Sequence, residues 1–283
     1  MSPELSIALA SVIALLAVLL AWWLYRRRRR AEVGRRLRRP AERLRYPLVL
    51  AHGLAGFDQI AVAGVKREYF RGVPVKLTAL GAQVHLPRLS PFASVPQRAK
   101  QLAEAVKLID AKKVNLVAHS LGGLDARYAI SRLELAPKVA SLITIGTPHH
   151  GTPIADVGTS LGAKLGLKTL LDGVGVDVSV FFALTTQAML AFNAEVPDAR
   201  GVWYGSFAAR GSPGMNPLLK PTHALLERKV GPNDGMVPQA SQRWGEVLAE
   251  IEADHWAQIG WTDGFDAPGL YLRVVDELKA RGF

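Results

Sequence analysis

The chain has 283 residues, of which 49% are hydrophobic and 21% charged, with a formal net charge of +11 and no cysteine. The missing cysteines exclude disulfides, thiol nucleophiles and thiolate metal sites. The length fits one large domain or two small ones, and the apolar fraction can build a sizeable core, although part of it is gathered in one N-terminal block.

That block, Ile7 to Leu24, reads IALASVIALLAVLLAWWL and carries no charge. As a helix it is long enough to span the hydrocarbon core of a bilayer. Trp22, Trp23 and Tyr25 close it and the Arg26 to Arg30 run follows at once, the arrangement expected at a membrane interface. A cleaved signal peptide is the competing reading. It calls for a basic segment before the apolar block and small residues after it, whereas here MSPELS precedes and bulky aromatics and arginines follow. We therefore expect a retained transmembrane anchor over residues 1–25, a basic juxtamembrane stalk over 26–45 and a globular domain over 46–283.

The charge is local. Eleven arginines against Glu32 and Glu42 give residues 26–45 a net +9, which leaves about +3 for residues 46–283. A basic run beside a membrane helix faces the cytoplasm and its anionic lipids. Nucleic acid is not expected as a partner, because no basic stripe with interleaved aromatics appears elsewhere.

Beyond the stalk, apolar runs with the β-branched look of buried strands recur at Pro47–Gly53, Ala82–Pro87, Val114–Ser120, Ala140–Pro148 and Val202–Ala209. Helical patterns lie between them. Ser94 caps one whose apolar residues Ala99, Leu102, Ala103, Val106 and Ile109 keep a 3.6-residue period; others cover Leu121–Leu135 and Pro268–Arg281. Alternating strands and helices predict an α/β class with a mostly parallel sheet flanked by helices.

The strongest motif is Val114–Gly123, VNLVAHSLGG, an apolar strand running through His-Ser-Leu-Gly-Gly into a helix. This has the form of a nucleophile elbow, where the turn needs small residues two before and two after the serine. Ala118 and Gly122 flank Ser120 in this way, with Ala a small departure from the usual Gly. A serine of this kind needs oxyanion donors. The first strand ends in His52-Gly53-Leu54, so the backbone N–H groups of Leu54 and Leu121 are the candidates; His52 itself reads as a histidine bonding its own loop. An acid and then a histidine should follow in chain order. Asp234 in VGPNDGMVP and His255 in EADHWAQIGW do so. Singly each would be a turn or loop residue. Among the other histidines, His119 should point away from its neighbour Ser120, His149 and His150 break the order, and His85 and His223 lie in no motif. Asp254, Asp263 and Asp266 sit too near His255 to serve as its acid.

With YPLVLAHGLAGFD, VNLVAHSLGGLDARY, TIGTPHHGTPIAD, LTTQAMLAFNAEVPD, GPNDGMV and DHW, the chain resembles the bacterial triacylglycerol lipases of the Pseudomonas and Burkholderia type from about Tyr46 to Trp261. The resemblance implies an α/β-hydrolase fold, hydrolysis of long-chain esters, Ser120, Asp234 and His255 as the catalytic triad, and a helical lid after Pro148. Residues 153–192, rich in Leu, Val and Phe, are the candidate lid. In those lipases an aspartate two residues past the catalytic histidine binds calcium. Here that position is Ala257, and Asn216–Thr222 offers no matching carboxylate, so neither metal nor cofactor is expected.

Three functions follow as expectations: hydrolysis of lipid esters, acyl transfer to an alcohol on the same scaffold, and binding by a membrane-tethered protein with an inactive site. The orientation is testable. Protease added outside intact cells or spheroplasts should leave the globular domain whole, and its removal would reverse the assignment to the cytoplasmic side.

Overall fold

The computed structural model describes residues 44–54, 59–62, 65–164 and 179–283. The expected anchor and nearly all of the stalk lie outside these residues. Among the described residues no helix is long and apolar enough to cross a membrane. Leu44–Phe283 forms one compact unit.

Its centre is a six-stranded parallel sheet. In chain order the elements are β1 (Leu48–Ala51), a hairpin of β2 (Gln59–Val62) and β3 (Val65–Glu68), α1 (Val73–Ala79), β4 (Val84–His85), α2 (Val95–Lys107), β5 (Val114–His119) and α3 (Leu121–Arg132). There follow β6 (Val139–Ile145), α4 (Pro153–Lys164), α5 (Ser179–Ala183), α6 (Thr186–Glu195), β7 (Trp203–Arg210), α7 (Lys220–Val230), β8 (Glu246–Glu252) and α8 (Ala267–Ala280). The strand order is β4-β1-β5-β6-β7-β8, with β2 and β3 apart. The α/β-hydrolase reading of the sequence is met.

Strands β1, β5 and β6 are buried along their whole length, which is why they read as continuous apolar runs. Successive side chains go to opposite faces. Leu48, Leu50, Val117, Ile143 and Ile145 pack under α1 and α8, against Val73, Leu77, Tyr271, Val274 and Leu278. Val49, Ala51, Leu116, Ala118 and Leu142 pack under α2 and α3, against Ala99, Leu102, Val106, Ala126 and Ile130. At the head of α2 the Gln97 side chain accepts from the Ser94 backbone N–H at 3.2 Å, within a capping box at the expected cap residue.

Topology places the site. The chain leaves β1 toward β4 on one side and crosses to β5 on the other. At such a switch point a crevice opens beyond the C-terminal strand ends. The His52–Leu54 loop and Ser120 both lie there, since Ala51 pairs with Ala118 in register.

Strand β8 escaped the sequence reading. It is an edge strand in which only Ile251 is buried, and its glutamates pair outward, Glu252 with Arg210 at 2.7 Å and Glu246 with Arg281 at 2.6 Å. Charges on an edge strand discourage pairing with another chain, and they also hide its period from a hydrophobicity scan.

Candidate active site

Ser120 lies between β5 and α3 with φ 55° and ψ −130°, a conformation that costs a residue with a side chain about 1–3 kcal/mol. The turn is held by close backbone approaches. A Cβ on Gly122 would lie 2.6 Å from the Ala51 carbonyl oxygen, and one on Gly53 would lie 2.8 Å from the Ser120 Cβ. A Cβ on Gly123 would meet Thr147 Oγ1 at 2.2 Å, and that hydroxyl donates to the Ser120 carbonyl at 2.8 Å. The Ser120 N–H donates to Ile145 at 3.0 Å. Ala118 is fully buried in the β5 core, so Ala in place of Gly is accommodated there.

The structure brings Ser120, His255 and Asp234 together. His255 Nε2 is 3.0 Å from Ser120 Oγ and its Nδ1 is 2.8 Å from Asp234 Oδ2. An ionised carboxylate only accepts, so Nδ1 carries the hydrogen and the Nε2 lone pair faces the serine hydroxyl. Asp234 is fully buried and His255 is 6% exposed. The carboxylate is fixed at both oxygens: Oδ1 accepts from the backbone N–H groups of Met236 at 2.9 Å and Val237 at 2.7 Å, and Oδ2 from Gln258 Nε2 at 2.9 Å. The His255 N–H donates to the Asp234 carbonyl at 2.8 Å, tying the two loops directly. Asn233 shapes the turn by accepting from the Gly235 N–H at 2.9 Å.

Leu121 is the first residue of α3, where backbone N–H groups have no partner inside the helix. Leu54 follows Gly53, the residue packed on Ser120. Both candidate donors thus flank the serine. Their loop is clamped by a residue that the sequence reading missed. Arg98 on α2 is fully buried; its guanidinium donates to the carbonyls of His52 at 2.7 Å, Gly53 at 3.2 Å and Ser90 at 2.8 Å, and pairs with Asp125 of α3 at 2.8 Å. Burial pushes the Asp125 carboxyl up to about 7, against the pull of Arg98. A signal existed: Arg98 stands four residues before Leu102 and eight before Val106, on the apolar stripe itself. His52 bonds its own loop, with Nδ1 3.0 Å from the Gly53 oxygen and Nε2 accepting from the Leu89 N–H at 3.2 Å.

One expectation is overturned. The His119 ring does not point away from the site but packs 4.7 Å from the His255 ring, centroid to centroid. The ring is buried behind that imidazole, between Tyr69 and His255.

Of the candidate lid, residues 165–178 lie outside the described part. Val180 and Met189, from α5 and α6, are buried against Leu121, Leu124 and Val95, with Leu54, Leu184 and Phe192 beside them. These helices therefore pack on the same leucines whose backbones flank Ser120. Their far end is pinned. Arg127 donates to Asn193 Oδ1 at 2.8 Å and to the Val196 carbonyl at 3.1 Å, with its guanidinium carbon 3.5 Å over the Trp244 ring.

The sheet order, the strained serine and the two loops define an α/β-hydrolase. Comparison with known proteins agrees. A lipase from Bacillus licheniformis superposes with a TM-score of 0.66 at 24% identity, over 83% of this chain and 92% of that one. A metagenomic carboxyl esterase gives 0.73 at 21% identity, over 84% and 76%. In sequence, the triacylglycerol lipase of Vibrio cholerae is 31% identical over 84% of this chain and 89% of its own length. Triacylglycerol lipase 2 of Saccharomyces cerevisiae is 29% identical over 84% and 92%. The family model of palmitoyl protein thioesterases matches residues 47–176. The chain belongs to the triacylglycerol lipase family, and it is a carboxylic ester hydrolase.

The residues do not fit the calcium site that the resemblance implies. Ala257 has no side-chain oxygen, and its N–H donates to Asp254 Oδ1 at 2.8 Å. That oxygen also accepts from the Trp256 N–H at 2.9 Å and Thr262 Oγ1 at 3.0 Å, while Oδ2 accepts from the Asn216 N–H at 2.8 Å. The buried Asp254 carboxylate thus already joins the His255 loop to the Asn216 segment. Chelators should leave both the hydrolytic rate and the melting temperature unchanged; a melting shift on adding calcium to the chelated protein would contradict this.

Proposed function

We propose that this chain hydrolyses carboxylic esters of lipids through an acyl-enzyme formed on Ser120, while tethered to a membrane by its N-terminal segment. The observation that carries the mechanism is the unbroken hydrogen-bonded series from Asp234 through His255 to Ser120 Oγ. His255 takes the hydroxyl proton as the oxygen attacks the ester carbonyl, and Asp234 holds the imidazolium that results. The Leu54 and Leu121 N–H groups receive the oxyanion. His255 then passes its proton to the departing alcohol, and water activated by the same histidine clears the acyl group. The anchor at residues 1–25 and the +9 charge of residues 26–45 support residence on an anionic, cytoplasmic membrane face. A second reading, cleavage of fatty acyl thioesters, is favoured by the thioesterase match over residues 47–176; parallel rates on an ester and a thioester of the same acyl chain separate the two.

Ser120→Ala should abolish hydrolysis and labelling by a serine-directed phosphonate while thermal unfolding stays cooperative; persistent labelling would refute the nucleophile. Asp234→Asn should slow turnover by about four orders of magnitude, because the amide favours the wrong imidazole tautomer.

The 153–192 segment acts in this proposal as a lid. Phe181 and Phe182 are 39% and 41% exposed and Leu190 is 65% exposed, apolar surface that water disfavours and a lipid interface accepts. An interface would shift the balance toward an open form. The rate should climb steeply once a water-insoluble ester passes its solubility limit. Phe181→Glu and Phe182→Glu should weaken that climb more than turnover of a short soluble ester. Plain saturation through the limit would show that the segment is structural.

A further inference from the structure

Behind the candidate site lies a second polar path that the proposed mechanism does not use. Tyr69 follows the β2–β3 hairpin, His119 ends β5, and Gln258 lies in the turn three residues beyond His255. His119 and Gln258 are buried, at 1% and 0% exposure. The Gly53 N–H donates to Tyr69 Oη at 3.0 Å, and Tyr69 Oη lies 2.8 Å from His119 Nδ1. At the other end Gln258 Nε2 donates to Asp234 Oδ2 at 2.9 Å, the oxygen that also receives His255 Nδ1–H.

Hydrogen counting gives this path one direction. A backbone N–H can only donate, so Tyr69 Oη accepts from Gly53, and among the described bonds its own hydrogen has no acceptor but His119 Nδ1. Burial first, and then the facing His255, hold His119 well below the usual imidazole range, so it is neutral and its one hydrogen sits on Nε2. His119 Nε2 and Gln258 Oε1 are both buried, and neither is within hydrogen-bond geometry of a partner. One can donate and the other accept, and the His119 ring is flanked by the Gln258 side chain and the His255 backbone. The amide is therefore oriented, with Oε1 toward His119 and Nε2 toward Asp234. Reversing it would set a carbonyl oxygen against the Asp234 carboxylate and two donors against each other. Gly146 makes the room: a Cβ there would lie 2.2 Å from Gln258 Oε1 and 3.3 Å from His255 Nδ1.

We propose that Gln258 is a positioning residue for the reaction, an oriented amide that fixes Asp234 Oδ2 beneath His255. The proposal rests on the catalytic roles given above to Ser120, His255 and Asp234. It adds that the acid is held by an amide outside the triad, so that removing this amide is felt at the His255–Asp234 hydrogen bond.

The test uses Gln258→Met, which keeps the length of the side chain and removes both its donor and its acceptor. On a short soluble ester kcat should fall roughly ten- to hundredfold, the size of one hydrogen bond to a charged group, with KM within about twofold because no substrate contact is lost. The far-downfield proton resonance of His255 Nδ1–H should move or broaden, a response that general loosening of the fold would not produce in a protein with unchanged melting. Wild-type kcat with an unmoved resonance overturns the proposal. If Gln258→Met does not fold, Gln258→Glu decides: it keeps the shape and replaces the donor to Asp234 Oδ2 by a carboxyl oxygen, and an unmoved His255 resonance there overturns the proposal equally. Ser120→Ala separates the two levels, since an inactive Ser120→Ala beside a fully active Gln258→Met removes the positioning role alone, while an active Ser120→Ala removes the triad itself.

Discussion

The backbone of Ser120, at φ 55° and ψ −130°, is the constraint on which the rest of the site depends. The conformation lifts a side chain out above the strand ends, and it survives only where the surroundings hold it. Those surroundings are three glycines whose missing Cβ atoms let α3 start directly on the end of β1 and against Thr147. The sheet supplies the rigid base, with β5 paired to β1 and β6 on either side. Strain of about 1–3 kcal/mol is small beside the burial of three strands along their whole length, each buried large apolar side chain contributing about 1.5–3 kcal/mol.

Strong polar groups are then embedded where the apolar sheet ends, and each has a specific partner set. Arg98 would be costly to bury alone; it is offset by Asp125 and three carbonyl oxygens, two of them in the loop beside Ser120. Asp234 would repel a buried environment as an ion, yet it accepts four hydrogen bonds from Met236, Val237, Gln258 and His255. Both devices convert buried charge into fixed geometry. One immobilises the loop that carries the proposed oxyanion donor, and the other immobilises the proposed base, His255. The orientation that catalysis needs is thereby set before a substrate arrives.

Much of this was legible in the sequence because it is written in short, local patterns. The strand-turn-helix around Ser120 shows its glycines at the positions where backbones touch, and Asp234 and His255 stand in the required order in turn-rich loops. The continuous apolar strands follow from a sheet covered on both faces. What was missed is what depends on distant partners. Arg98 looks like a surface residue until Asp125 and the His52 loop are brought to it from 27 and 46 positions away. Gln258 has no motif, since its meaning comes from lying between His119 and Asp234. His119 is expected from its adjacency to Ser120 to point away, yet its ring packs on that of His255, a contact that only the folded loops bring about. Strand β8 was missed because its exposed glutamates mask the period of an edge.

The distribution of charge and apolar surface bears on the proposed way of working. The +9 of residues 26–45 leaves the globular domain nearly neutral, so attraction to anionic lipid would rest with the stalk and not with the hydrolase surface. A tethered enzyme is already at the interface and has no need of exposed apolar side chains to find it. Phe181, Phe182 and Leu190 are nevertheless exposed, and they share α5 and α6 with Val180 and Met189, which are buried over Leu121 and beside Leu54. The same two short helices thus present one apolar face to water and another to the residues flanking Ser120. Contact of the outer face with lipid would lower the cost of exposing the inner one, and Arg127, by holding Asn193 and Val196, supplies a fixed end about which the helices could turn. In the proposed arrangement the tether would supply proximity and the lid access, two separate uses of the hydrophobic effect within one chain.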